Sequence, residues 1–122
     1  MASVLLVEDE VGILNSYAFV LNKKGLMVTP VDNAKDALAY VKTKQFDLIL
    51  LDMLMPEMSG LDFLKAANLK ATSPSTKVLV LSNTESPKVI EQAKALGADD
   101  YILKVENTPY DLAEKIAAML GA

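Results

Sequence analysis

The sequence predicts an open, doubly wound α/β domain: a (βα)5 sandwich built on a five-stranded parallel sheet. Three observations carry this expectation. Short apolar runs alternate with longer segments of helical spacing along the whole chain. The runs are apolar throughout instead of at every second residue, which suits strands covered on both faces by helices. Start and stop signals frame the helical segments independently of hydrophobicity.

In chain order, "SVLLV" (3–7) reads as the first strand. It leads through Glu8, Asp9 and Glu10 into a helix over about 10–24. Lys23, Lys24 and Gly25 mark that helix's end, because the dipole favours cations there and glycine takes the left-handed cap conformation. "LMVTPV" (26–31) is the second strand, and Asn33 and Asp36 are spaced as N-cap and N3 partners for a helix over about 33–44. "FDLILL" (46–51) is the third strand, and Ser59 with Asp62 repeats the cap signal for a helix over about 59–70. "ATSPST" (71–76), with Pro74 and Ser75, is a polar loop. "KVLVLS" (77–82) is the fourth strand; Ser86 and Pro87 then open a helix over about 86–96, which Gly97 ends. "DYILK" (100–104) is the fifth strand, followed by Thr108, Pro109 and Asp111 at the start of a final helix over about 108–120. Tyr110, Leu112, Ile116 and Met119 are expected in its core stripe.

With 122 residues and 52% hydrophobic content, the chain has the composition of one domain, residues 1–122, with no output domain expected. A net charge of -4 argues against a general nucleic-acid or anionic-membrane binder, since both need a basic surface. All twelve cations are lysines, and there is no Arg, His or Cys. Guanidinium clamps, histidine chemistry, disulfides and thiolates are thereby excluded. The opening "MASVLLVEDE" resembles neither a signal peptide nor a membrane span, so a cytoplasmic location is expected.

Sites in doubly wound sheets form beyond the carboxyl ends of the strands, where strand order reverses. Here the first strand ends in Glu8-Asp9-Glu10, the third in Asp52, the fourth in Ser82 and the fifth in Lys104. If the first and third strands are neighbours, Glu8 or Asp9 converges on Asp52, and like charges push the carboxylate pKa values up. A hard divalent cation such as Mg2+ relieves that repulsion, since oxygen ligands without His or Cys suit it. Ser82 and Lys104 can hold phosphoryl oxygens, and Asp52 can act as a nucleophile forming an acyl phosphate.

From "VLLVEDE" through "LILLDMLMPEMSG", "VLVLSNTES" and "GADDYILK" to the last helix, the chain resembles the receiver domains of two-component response regulators, in the CheY-like, single-domain form. The resemblance implies a flavodoxin-like sheet of order 2-1-3-4-5. It implies Asp52 as phosphoacceptor, with Mg2+ held by Asp9 and Asp52 directly, by Glu8 through water and by the Leu54 backbone carbonyl. Ser82 matches the hydroxyl that follows the phosphoryl group, Lys104 the phosphate-pairing lysine and Tyr101 the aromatic switch position. Pro56 and Gly60 match the turn after the acceptor. A histidine kinase or phosphotransfer protein is the implied donor, and the readout is contact with a downstream protein. The molecule is expected as a monomer that can dimerise on activation. It is a switch with slow self-dephosphorylation at most, not an enzyme turning over substrate.

Two positions depart from the family pattern. Val105 stands after Lys104 where proline is usual, so a trans peptide and an altered loop are expected. Asn83 stands after Ser82 where a small residue is customary. These motivate a rival reading as a phosphorylation-independent binding module. A small phosphohydrolase with an Asp nucleophile fits less well, because Leu54 replaces the acid expected two residues on. Nucleotide binding is weaker still, as no glycine-rich cradle follows the first strand. Taken singly, Asp52 would be a turn residue, Ser82 a loop residue, Lys104 a surface lysine and Tyr101 a half-buried strand aromatic. Met53, Met55 and Met58 are expected to fill an irregular core around the turn.

Overall fold

The computed structural model describes residues 2–83 and 86–121. Met1, Thr84, Glu85 and Ala122 lie outside them, and with them part of the "VLVLSNTES" stretch. Strands β1 (Ser3–Val7), β2 (Met27–Val31), β3 (Leu48–Asp52), β4 (Lys77–Ser82) and β5 (Asp100–Leu103) form one parallel sheet of order β2-β1-β3-β4-β5, as expected. Helices α1 (Val11–Lys23) and α6 (Pro109–Met119) cover one face. The other face carries α2 (Ala34–Thr43), α3 (Gly60–Ala67), the single turn α4 (Leu69–Thr72) and α5 (Pro87–Ala95).

The continuous apolar runs now have their reason. Successive strand side chains point to opposite faces. On β1, Leu5 and Val7 join Ala37, Phe63 and Val80 in one core layer. Val4 and Leu6 join Leu21, Leu79, Leu112 and Ile116 in the other. Residues within the inner strands β1, β3 and β4 are buried under helices on both faces, so a polar side chain there carries a cost, whereas Thr29 on edge strand β2 and Lys77 at the start of β4 keep access to solvent.

Edge strand β2 contains a proline, and its hydrogen bonds show why that is tolerated. Met27 N donates to Ala2 O (2.8 Å) and Glu8 N donates to Val31 O (3.0 Å). Alternation along a parallel strand therefore turns residues 27, 29 and 31 toward β1 and Pro30 outward. Its missing N–H forfeits no ladder bond, and it blocks a further strand from pairing there.

The caps follow the sequence reading. Asn33, Ser59 and Thr108 accept from the backbone N–H of Asp36, Asp62 and Asp111 at 2.7, 3.1 and 3.1 Å, the last two as reciprocal capping boxes. Gly25 and Gly97 end α1 and α5 with φ of +86° and +113°.

Four expectations need correction. The helix expected over 59–70 is broken at Asn68, which adopts the left-handed conformation (φ 47°) and separates α3 from α4. Asparagine tolerates that conformation, and without Gly or Pro nearby the sequence carries no stronger mark of the break. β3 begins at Leu48, not 46, although Phe46 is buried. The fifth strand stops at Leu103, and Lys104 opens a 3-10 turn, Lys104–Glu106, beneath which the Asn107 amide donates to Leu103 O (3.0 Å). Tyr110 is 61% exposed, because it lies two residues, about 200°, from Leu112 on a helix whose core face is Leu112, Ala113 and Ile116. Among the described residues every peptide bond is trans, including Lys104–Val105. No helix among them is long and apolar enough to cross a membrane.

Candidate functional site

Pairing places β1 beside β3, with Val7 opposite Leu51, so Glu8 and Asp52 emerge side by side where the strand order reverses. Asp52 is opposite Leu81 on β4, and Ser82 is opposite Leu103 on β5. Three residues distant in sequence thus converge with Lys104 at one edge of the sheet.

Glu8, Asp52 and Ser82 are 1%, 5% and 1% exposed, which is unusual for polar groups unless they are paired. Lys104 Nζ lies 2.7 Å from Glu8 Oε1 and 3.2 Å from Asp52 Oδ2. Glu10 N donates to Glu8 Oε2 (3.1 Å), and Leu54 N donates to Asp52 Oδ1 (3.3 Å). Glu8, Asp9 and Asp52 each offer a carboxylate oxygen within 4.8 Å of the others. Three acids so close, answered by one lysine, form an all-oxygen pocket suited to a hard divalent cation.

The electrostatics follow from burial and crowding. Asp52 is pushed up to about 7 from 3.8, first by burial and then by the neighbouring Glu8 charge; Lys104 and the Leu54 N–H only partly oppose this. For Lys104, burial acts to lower the pKa, but the Glu8 hydrogen bond and the charges of Asp52 and Glu8 outweigh it and raise the ammonium above its ordinary value. A carboxylate with a raised pKa is a better nucleophile once ionised, provided that a nearby cation holds it in that form.

Tyr101 is half-buried on β5 and packs against the core layer that includes Val80. Met53 is buried in the same layer, with Met55 and Met58 packed against it, as the sequence led us to expect. Asn83 is exposed beside Ser82, Val105 is exposed beyond Lys104, and the Leu54 side chain is exposed while its N–H holds Asp52.

Tyr17 is a residue that sequence reasoning missed. It is buried on α1, and its phenol is raised first by burial, with Lys104 lowering it and Glu8 and Asp52 raising it further. Its spacing from Leu14 and Leu21 signals only a core position, and nothing in the sequence places it within electrostatic reach of the acids.

The turn after Asp52 rests on Gly60, whose N–H donates to Met53 O (2.9 Å). A Cβ at Gly60 would lie 2.8 Å from the Asp52 carbonyl oxygen and 2.9 Å from Met53 Cα, both backbone atoms that cannot move alone. Gly60→Ala is therefore expected to destabilise the fold by about 2 kcal/mol through overpacking. Urea denaturation checks this, and an unchanged midpoint would show that the end of β3 can shift freely.

Comparison with known proteins gives the same picture. The family described as response regulator receiver domain matches residues 4–117. Sensory transduction protein RegX3 of Mycolicibacterium smegmatis is 38% identical over 117 residues, covering 96% of this chain and 48% of that protein. Cell cycle transcriptional regulator CtrA of Caulobacter vibrioides is 32% identical over 114 residues, 93% of this chain and 47% of that protein. The chain spans about half the length of these curated relatives. Among solved structures, a CheY-like receiver domain protein of Methanospirillum hungatei superposes with a TM-score of 0.90 at 31% identity, covering 99% of this chain and 94% of that one. Chemotaxis protein CheY4 of Vibrio cholerae does so with a TM-score of 0.87 at 30% identity, covering 97% and 98%. With the family matching nearly the whole chain and the sheet order reproduced, the protein belongs to the response regulator receiver domains of two-component systems.

Proposed function

We propose that Asp52 accepts a phosphoryl group from a partner histidine kinase or phosphotransfer protein and that the chain signals by protein contact. The observation that carries this reading is the Asp52 carboxylate, 3.2 Å from the Lys104 ammonium and gathered with Glu8 and Asp9 into one oxygen pocket. An oxygen of Asp52 attacks phosphorus, the bond to the donor nitrogen breaks, and that nitrogen keeps the electron pair and takes up a proton. These 122 residues contain no histidine, so the donor nitrogen lies outside them.

Asp9, Asp52 and the Leu54 carbonyl are the proposed direct ligands of Mg2+, with Glu8 acting through water. Mg2+, when bound, neutralises charge on the transferring group. Lys104 then trades its Asp52 contact for a phosphoryl oxygen, and the Ser82 hydroxyl turns toward the same group. Tyr101, two strands from Asp52 and packed against the core layer to which α5 contributes Ala93, takes up the space that Ser82 vacates and reshapes the α5–β5–α6 face. A cytoplasmic location fits a donor of this kind.

The test combines two measurements on folded wild-type protein. With Mg2+, beryllofluoride should bind saturably and shift amide resonances at Ser82, Tyr101 and Lys104; with acetyl phosphate and Mg2+, intact mass should rise by one phosphoryl group. Silence in both would favour a phosphorylation-independent binding module.

A further inference from the structure

We propose that the cleft between the start of α1 and the first half of α2 docks an arginine side chain presented by a partner protein. This goes beyond the phosphoryl chemistry above and does not rest on it. The cleft, about 350 Å3, is floored by Pro30 and Val31 and walled by Val11 and Tyr40. Val11 and Tyr40 are large apolar or aromatic side chains left 59% and 41% exposed, on helices that flank the end of edge strand β2 from opposite faces of the sheet. Helical spacing sets each beside neighbours that line the cleft: Val11 with Leu14 and Asn15 on α1, and Asp36 with Tyr40 on α2.

The polar rim is acidic. Asp32 and Asp36 line the cleft, and no lysine does. One amide nitrogen fixes both: Asn33 Nδ2 donates to Asp32 Oδ1 (2.7 Å) and Asp36 Oδ2 (3.0 Å). Each carboxylate uses one oxygen in this, and the other has no protein partner among the described residues. Two carboxylates that share a single nitrogen lie close enough for one planar cation to bridge them.

That geometry selects arginine over lysine. The guanidinium presents a flat fork of donors, can lie against the Tyr40 ring, and has an aliphatic stem that suits Val11 and Pro30. A lysine ammonium is a compact, strongly hydrated point charge that gains less from either feature. A second copy of these 122 residues cannot supply the group, because they contain no arginine. The cleft is too small for a whole helix, and Pro30 denies an added strand its N–H partner, so a single side chain on a partner's surface is the fitting occupant.

The test is an amide NMR titration of the whole chain with the capped peptide acetyl-Leu-Arg-Leu-amide. Shifts should concentrate at Val11, Asn15, Asp32, Asp36 and Tyr40 and saturate with millimolar affinity. The neutral citrulline analogue should produce none of them, and the lysine analogue should bind several-fold more weakly. Asp32→Asn with Asp36→Asn, which keeps an acceptor for Asn33, should weaken arginine-peptide binding by about tenfold or more; Tyr40→Leu should erase the preference for arginine over lysine. Equal binding of the citrulline or lysine peptide overturns the proposal. So does no shift at tens of millimolar, shifts centred on Glu8, Asp9 and Asp52, or unchanged affinity in a double variant whose circular dichroism is native.

Discussion

Asp52→Asn is expected to abolish phosphoryl acceptance and at the same time make the fold more stable at neutral pH. The second half follows from the raised pKa. In the unfolded chain Asp52 loses its proton near 3.8, whereas in the fold it keeps the proton until about pH 7, because burial and Glu8 disfavour its charge. Between those values the folded state binds more protons than the unfolded, so stability falls as pH rises through that window. The penalty is absent below about pH 4 and complete above about pH 7; the shift alone corresponds to about 4 kcal/mol, which solvent screening reduces to the order of 2 kcal/mol. Asparagine keeps the shape and cannot ionise. Urea midpoints of wild type and variant in chelator should coincide near pH 4 and separate steadily up to pH 8; parallel midpoints would show that Asp52 carries no such burden. In acetyl phosphate and Mg2+ the variant should gain no phosphoryl mass, and equal modification would remove Asp52 as acceptor.

Lys104→Ala should have the opposite sign. The lysine stands at 2.7 Å from Glu8 and 3.2 Å from Asp52, both nearly inaccessible to water. Removing it leaves two buried acids without their cation, a change that costs about 3 kcal/mol when the acids are ionised. The Lys104 pKa is raised in the fold, so its contribution is fully present below the ordinary 10.5 and is lost only as pH rises through the higher folded value. The cost should therefore be largest above about pH 7 and shrink as pH falls below it, where Asp52 takes up a proton and needs no partner. In the Asp52→Asn background the same substitution should cost distinctly less, since one of the two stranded charges is gone. Additive losses in that double-mutant cycle would mean that the two residues do not interact energetically. The single variant should also lose its response to beryllofluoride.

Much of the fold was legible because local rules sufficed. Asn33, Ser59 and Thr108 begin helices through hydrogen bonds to residues three positions away, and Gly25 and Gly97 end them through a conformation that depends on one residue. The break at Asn68 was not legible, because asparagine only tolerates what glycine would announce. Tyr110 was misplaced because a stripe drawn through apolar residues ignored a rotation of about 200° from Leu112. Tyr17 was passed over; it is core, and that it also feels Lys104, Glu8 and Asp52 is a matter of which strand ends its helix lies over.

What the sequence by itself determined is the kind of chemistry this protein can hold: acids, a hydroxyl and a lysine at strand ends, with no His, Arg or Cys to offer another route. It also determined the βα alternation, because capping and hydrophobic spacing act over a few residues. Only the tertiary structure decided that Glu8 and Lys104, 96 positions apart, meet at 2.7 Å and that Asp52 is held near neutrality between them. The reason is physical: a side chain's identity is local, but its proton affinity depends on burial and on charges brought close by strand order, and neither exists until the sheet has formed.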